Sequence, residues 1–373
     1  QNLTLNTGGS TELNAFVGGT AALTSLTTDA PGGTWINTSA ITTTGAQTYN
    51  DSVTLISDTT LASTGSGNLT FNGTLDGARN LTLNTAGNNV FNAIVGGGTA
   101  LTTLTTDAPG GTTINTSAIT TTGEQTYNDA VTLTADTALA SSGAADITFN
   151  STLDGAQDLT LNTGGNNVFN AVVGGTTALT SLTTDTPGGT TINTTAITTT
   201  GPQTYNDAVT LTSDTLLAST GSGNLTFNGT LDGAHNLTLN TAGDNVFNAI
   251  VGGGTALTTL TTDTPGGTTI NTTAITTAGA QTYNDPVTLT SDVTIADTAL
   301  GHITFNGTLD GAQNLTLNTG GNNVFNAVVG GGDPLTTITT DAPGGTTINT
   351  TAITTAGAQT YNDPVTLTSD VTI

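Results

Sequence analysis

The run Asn2-Leu-Thr-Leu-Asn-Thr returns at Asn80, at Asp158 with Asp in place of Asn, and again at Asn236 and Asn314, each step being 78 residues without insertion or deletion. A strict period of this length marks a stacked array, in which a unit that cannot bury its apolar face alone buries it against its neighbours. Four full units run 2–79, 80–157, 158–235 and 236–313, and a fifth, 314–373, stops in mid-unit. Gln1 fits the column of Arg79, Gln157, His235 and Gln313, so both ends fall inside the pattern. An uncapped β array exposes unpaired N–H and C=O groups over a whole turn. The expectation is a chain that continues a longer array or associates end to end with copies of itself, since a head-to-tail contact that does not close generates a filament.

Within one unit the apolar residues come in short pulses: Leu81 and Leu83, Phe91 to Val95, Leu101 and Leu104, Ile114, Val131 and Leu133, Ile147 and Phe149. Most alternate with period two, and turn signals such as Gly96-Gly97-Gly98, Asn128-Asp129 and Asp154-Gly155 separate them. No pulse is long enough for a helix, so the array is all β. The 97 Thr, 37 Asn and 49 Gly, about half the chain, suit strands and turns. Comparing columns shows which side faces in. Val90 is replaced by Glu12 in the first unit, so that column faces water while Phe91, Ala93 and Val95 face the core. Trp35 takes the place of Thr113, Thr191, Thr269 and Thr347, a size change that a surface accepts and a packed interior resists. The column of Phe16, Ile94, Val172, Ile250 and Val328 sits where alternation predicts exposure, which implies a bend or a small apolar stripe.

A period of 78 residues fits either a parallel β-solenoid of about four coils per repeat, rising on the order of 19 Å, or one small sandwich domain per repeat. Sandwiches need an aromatic core and a linker, whereas this chain is 4% aromatic and has no gap between units. The reading is one continuous parallel solenoid over 1–373. Leu, Val and Ile pack between coils, and Asn at corners forms ladders from coil to coil.

The phrases Ile119-Thr-Thr-Thr-Gly-Glu-Gln-Thr-Tyr-Asn-Asp-Ala-Val-Thr-Leu and Asn68-Leu-Thr-Phe-Asn-Gly-Thr-Leu-Asp-Gly resemble the β-strand repeats of large bacterial filamentous-haemagglutinin-like surface adhesins. The likeness covers essentially the whole chain. It implies a right-handed parallel β-helix, export to the cell surface and a shaft-like role, while the secretion domain of that family is not visible here.

Charge and absences bound the rest. Twenty-six acidic side chains against one basic residue give a formal charge of −25, which repels phosphate backbones and anionic headgroups, so neither nucleic acid nor membrane insertion is expected. With 7% charged and 34% regularly spaced hydrophobic residues the chain is not a disordered polyelectrolyte. There is no Cys, no apolar run of transmembrane length and no signal-peptide pattern.

A catalytic site should stand out against a repetitive background, and none does. His235 shares its column with Arg79, Gln157 and Gln313, and His302 shares its own with Asn68, Asp146 and Asn224, so both are expected to be exposed and replaceable. Nineteen of the 24 Asp fall in four columns, exemplified by Asp29, Asp51, Asp58 and Asp76, at positions that read as turns with Asp bonded to the local backbone. Within a column the charges are expected about 19 Å apart, beyond screening range, and no calcium is expected. The Tyr column at 49, 127, 205, 283 and 361 is expected at coil corners, donating hydroxyls to neighbouring backbone rather than stacking on sugars. Asn-x-Ser/Thr, as at Asn2, Asn37, Asn68 and Asn72, follows from composition. Thr132 and Thr134 form an outward Thr-x-Thr pair, but Asn84 and Asn150 break the pattern after Thr82 and Thr148, too sparse for an ice-templating face.

The sequence therefore points to a non-enzymatic structural shaft or filament-forming segment of an extracellular bacterial adhesin, surface fibre or biofilm matrix. It acts as a rigid rod with repeated weak polar contacts, and carries no catalytic, metal or cofactor residues. Its partners are further copies of the array and cell-surface or matrix glycans. The alternative is an ice- or glycan-binding β-solenoid module.

Overall fold

The computed structural model describes all 373 residues. It contains 46 strands, every pairing between them parallel, and no helix. The chain divides into two compact units, Gln1–Gly189 and Thr190–Ile373, each built as a β-solenoid.

The first repeat shows the plan. Its strands are β1 (Asn2–Leu5), β2 (Ser10–Leu13), β3 (Ser25–Thr28), β4 (Gly33–Ile36), β5 (Ala40–Thr43), β6 (Gln47–Tyr49), β7 (Ser52–Leu55), β8 (Thr59–Ser63), β9 (Leu69–Phe71) and β10 (Leu75–Asp76), followed by β11 (Asn80–Thr85), which opens the second repeat. Hydrogen bonding runs β1–β3–β6–β9 on one face, β2–β4–β7–β10 on the next and β5–β8–β11 on the third. Between β2 and β3 the irregular segment around Val17 and Leu23 pairs with Ile41 and Thr43 and so completes the third face. One turn takes about 22 residues: Leu26 pairs with Gln47 and Gln47 with Leu69.

The expectation of about four turns per repeat thus becomes concrete. Ten strands and one irregular segment visit three faces in rotation, which makes three and two-thirds turns. The missing third has a consequence. Because eleven positions do not divide by three, β11 repeats the sequence of β1 on a different face, and Asp158–Thr163 falls on the remaining one. In the second unit Asn236–Thr241 and Asn314–Thr319 likewise lie on different sheets. Equivalent residues of successive repeats are therefore rotated about the axis, not aligned in one file as the column spacing had suggested.

What stacks in file is a set of unlike residues one turn apart. The inward row Leu26, Gln47, Leu69, Asn89, Thr112, Val131 mixes apolar and polar members. Beside it runs a ring stack: Tyr49 on Phe71 at 5.2 Å and Phe71 on Phe91 at 5.5 Å, with interplanar angles of 8°. That spacing is set by the strand separation of about 4.8 Å. Tyr127–Phe149–Phe169, Tyr205–Phe227–Phe247 and Tyr283–Phe305–Phe325 repeat the stack. Phe91 and Val95 are buried as expected, and Ile94 is exposed at a bend. Turns are tight where Gly is required. Gly77 has φ +126°, and a Cβ there would stand 2.3 Å from the Leu55 carbonyl oxygen one turn away.

Candidate functional site

The side chains with chemical potential fall into three groups: a buried carboxylate box, an exposed set of clips between turns, and single-file ladders on the outside.

The box is formed by the Asp51 column. Asp129 is 2% exposed, and its carboxylate accepts the Thr106 hydroxyl at 2.6 Å, the Thr112 hydroxyl at 2.9 and 3.0 Å, and the Asn89 side-chain amide at 3.1 Å. The Thr donors recur around Asp51, Asp285 and Asp363, and an Asn amide reaches the last two. This corrects the expectation of a turn residue bonded to the local backbone alone. Period-two alternation continues through Gln47, Tyr49, Asp51 and Val53, so the carboxylate enters the core. Burial pushes Asp129 and Asp285 above the ordinary carboxylate range, against the lowering effect of their hydroxyl and amide donors. Reaching the carboxylate leaves the Oδ1 of Asn89, Asn245 and Asn323 unpartnered in the core. A cost of about 1–3 kcal/mol for such an atom is offset by a charge-assisted bond on the other side of the same amide.

The Tyr column is also internal. Tyr127 is fully buried and donates its hydroxyl to Oε1 of Gln125 at 3.0 Å, while the Gln125 amide donates to the Ala140 carbonyl at 2.7 Å. The corner position and backbone acceptor expected for Tyr are both corrected: the acceptor is a buried Gln two residues earlier, on the same inward face. Burial, with Asp129 nearby, pushes the Tyr127 hydroxyl well above its usual range.

The clips join one turn to the next. Asp58 accepts the Asn80 backbone N–H at 2.9 Å, Asp76 accepts those of Gly98 and Thr99, and Asp107 accepts that of Thr85 at 3.0 Å. These partners lie a turn away, beyond the local backbone that their turn-like sequences implied, which Asp107 also reaches. The Asn236 and Asn314 donors, backbone first and side chain second, hold Asp214 and Asp292 below the usual carboxylate range. His302 belongs to this group: its Nδ1 accepts the Asn322 N–H at 2.8 Å, as the side-chain oxygens of Asn68 and Asp146 do for Asn88 and Asn166. His235 lies 3.5 Å from Asp214 and is half exposed. The two histidines have separate polar partners, and no group of three His, Cys, Asp or Glu is placed to hold a metal ion.

The ladders are the expected Asn files. Asn115 donates to Asn92, Asn92 to Asn72 and Asn72 to Asn50, each through Nδ2 to the next Oδ1 at 2.7–3.1 Å. Outward Thr82, Thr105, Thr126 and Thr148 make a file one residue wide, assembled from unrelated columns and invisible in the linear pattern.

No helix is long and apolar enough to cross a membrane. Comparison with protein-family models, with curated proteins and with solved structures gave no match.

Proposed function

We propose that the chain is a structural spacer: a shaft or filament-forming segment of an extracellular bacterial adhesin or surface fibre. The observation that carries this reading is where the polar side chains spend their hydrogen bonds. Within each unit, Asp, Asn and Thr repeatedly bind the neighbouring turn, adding side-chain clips to the continuous backbone ladder along the axis. Such a stack resists bending because any bend must lengthen hydrogen bonds on one face. The buried carboxylates are closed off by packing, which suits a role in holding turns together.

End-to-end association belongs to the same proposal. A further copy of the array would continue the parallel ladder by pairing with an outermost strand, as any open β edge templates another chain. Electron microscopy and sedimentation velocity of the isolated protein test it. Fibres or lengthwise oligomers are expected. A protein that stays monomeric at high concentration would refute end-to-end assembly, leaving a spacer within a longer chain.

A further inference from the structure

The repeats serve as controls for one another, and on one outer face the first repeat departs from the others in four successive turns. Glu12 stands where the other repeats have Val90, Val168, Val246 and Val324. Trp35, the only Trp, replaces Thr. Ile56 replaces Thr134, Thr212, Thr290 and Thr368. Arg79, the only Arg, stands where the chain otherwise has Gln or His. These positions adjoin in space. Glu12 pairs with Trp35, Trp35 with Thr54, Ile56 follows two residues later, and Nε of Arg79 donates to the Ile56 carbonyl at 2.6 Å. Trp35 and Ile56 are 44% and 41% exposed. They line a shallow groove of about 250 Å³ together with Glu12, Asn14 and Asn37.

The rim of the groove is ordered. Ser57 donates to Asn37 at 2.8 Å, Asn37 to Asn14 at 3.1 Å, and Asn14 to Glu12 at 3.3 Å. The carboxamides and the carboxylate are thus held in fixed orientations beside a partly exposed indole.

We propose that this strip binds a short oligosaccharide, one pyranose ring lying on Trp35. A sugar ring has an apolar C–H face that suits the indole and a rim of hydroxyls that both donate and accept. Glu12 accepts, Arg79 donates, and Asn14 and Asn37 can do both. Other occupants fit less well. The Trp35 strand is paired on both sides, so an added peptide strand finds no free edge. A charge of −25 disfavours phosphate polymers and anionic lipid. The proposal does not rest on the spacer reading, and its failure would leave that reading intact.

Because Trp35 is the only indole, its fluorescence reports on this groove alone. Titration with chitotriose, cellotriose, maltotriose and mannotriose to millimolar concentration should shift the emission with at least one of them. Glu12→Val keeps the fluorophore and should weaken that binding by about tenfold or more. Trp35→Thr, followed by calorimetry, should abolish it. Both variants carry the residue that four other repeats use, so circular dichroism should be unchanged. No emission change with any of the four sugars would overturn the proposal, as would binding that survives Trp35→Thr. Conversion of an oligomer to a monomer by Trp35→Thr without sugar binding would instead assign the groove to a second copy of the chain.

Discussion

Replacing Thr112 by Val tests the buried carboxylate box. Thr112 is 1% exposed, and its hydroxyl touches both oxygens of Asp129. Val fills nearly the same space without the donor, so the loss is that of a hydrogen bond to a charged group, about 1.5–3 kcal/mol. The cost depends on pH. Burial already holds Asp129 above its ordinary value, and Thr112 is one of the donors that lower it, so the variant's carboxyl shifts further upward. For an acid whose folded value lies above the unfolded value of about 3.9, the associated stability is fully present below the unfolded value and is lost as pH rises through the folded one. The substitution should therefore cost less at acid pH, where the carboxyl is more protonated, than near neutral pH. Native-state hydrogen exchange over Thr103–Thr106, Gly111–Ile114 and Ala130–Leu133 gives the local opening free energy. Protection should fall by about one to two orders of magnitude near neutral pH, while the outward-facing Thr113→Val should change it by less than about 0.5 kcal/mol. A Thr112→Val effect no larger than that control, or one identical at both pH values, would refute the reasoning.

Phe149→Ala removes the middle ring of a three-ring stack with centroids at 5.2 and 5.6 Å, and should cost about 3–5 kcal/mol in local stability by hydrogen exchange. Gly77→Ala puts a Cβ against the Leu55 carbonyl at φ +126° and should cost about 1–3 kcal/mol or more, read as earlier urea unfolding of the adjoining turns. His302→Asn restores the residue found at Asn68 and Asn224, and His235→Gln that found at Gln157 and Gln313. Each should leave the thermal transition unchanged, corresponding to less than about 0.5 kcal/mol.

The fold was legible because its signal is redundant: each unit repeats the same apolar pulses, and Glu12 and Trp35 mark the outward columns by tolerating change. The contents of the core were less legible, for a physical reason. Gln47, Tyr49 and Asp51 carry groups that ordinarily face water, and the composition prior outweighed an alternation that continued through all three. The angular relation between repeats was hidden too, since 78 residues do not reveal that eleven strand positions share three faces. Residues that meet, such as Asn89, Thr112 and Asp129, therefore come from different places in the unit, with Asn89 and Asp129 40 residues apart. The strip at Trp35 was half visible: Glu12, Trp35 and Arg79 each stand out in the sequence, but only the register places them on one face.

The central claim is a stack that lengthens by a fixed rise per repeat, and X-ray scattering from repeat-deleted proteins tests it most directly. Removing residues 80–157 joins Arg79 to Asp158, a junction equivalent to the native one at Asn80. Three and two-thirds turns at about 4.8 Å each predict that the first unit, residues 1–189, loses about 18 Å of its maximum dimension when 80–157 are removed from it. A compact body losing one repeat would instead shrink by only about 3 Å in radius of gyration, and that result, or a length unchanged by the deletion, would contradict the account.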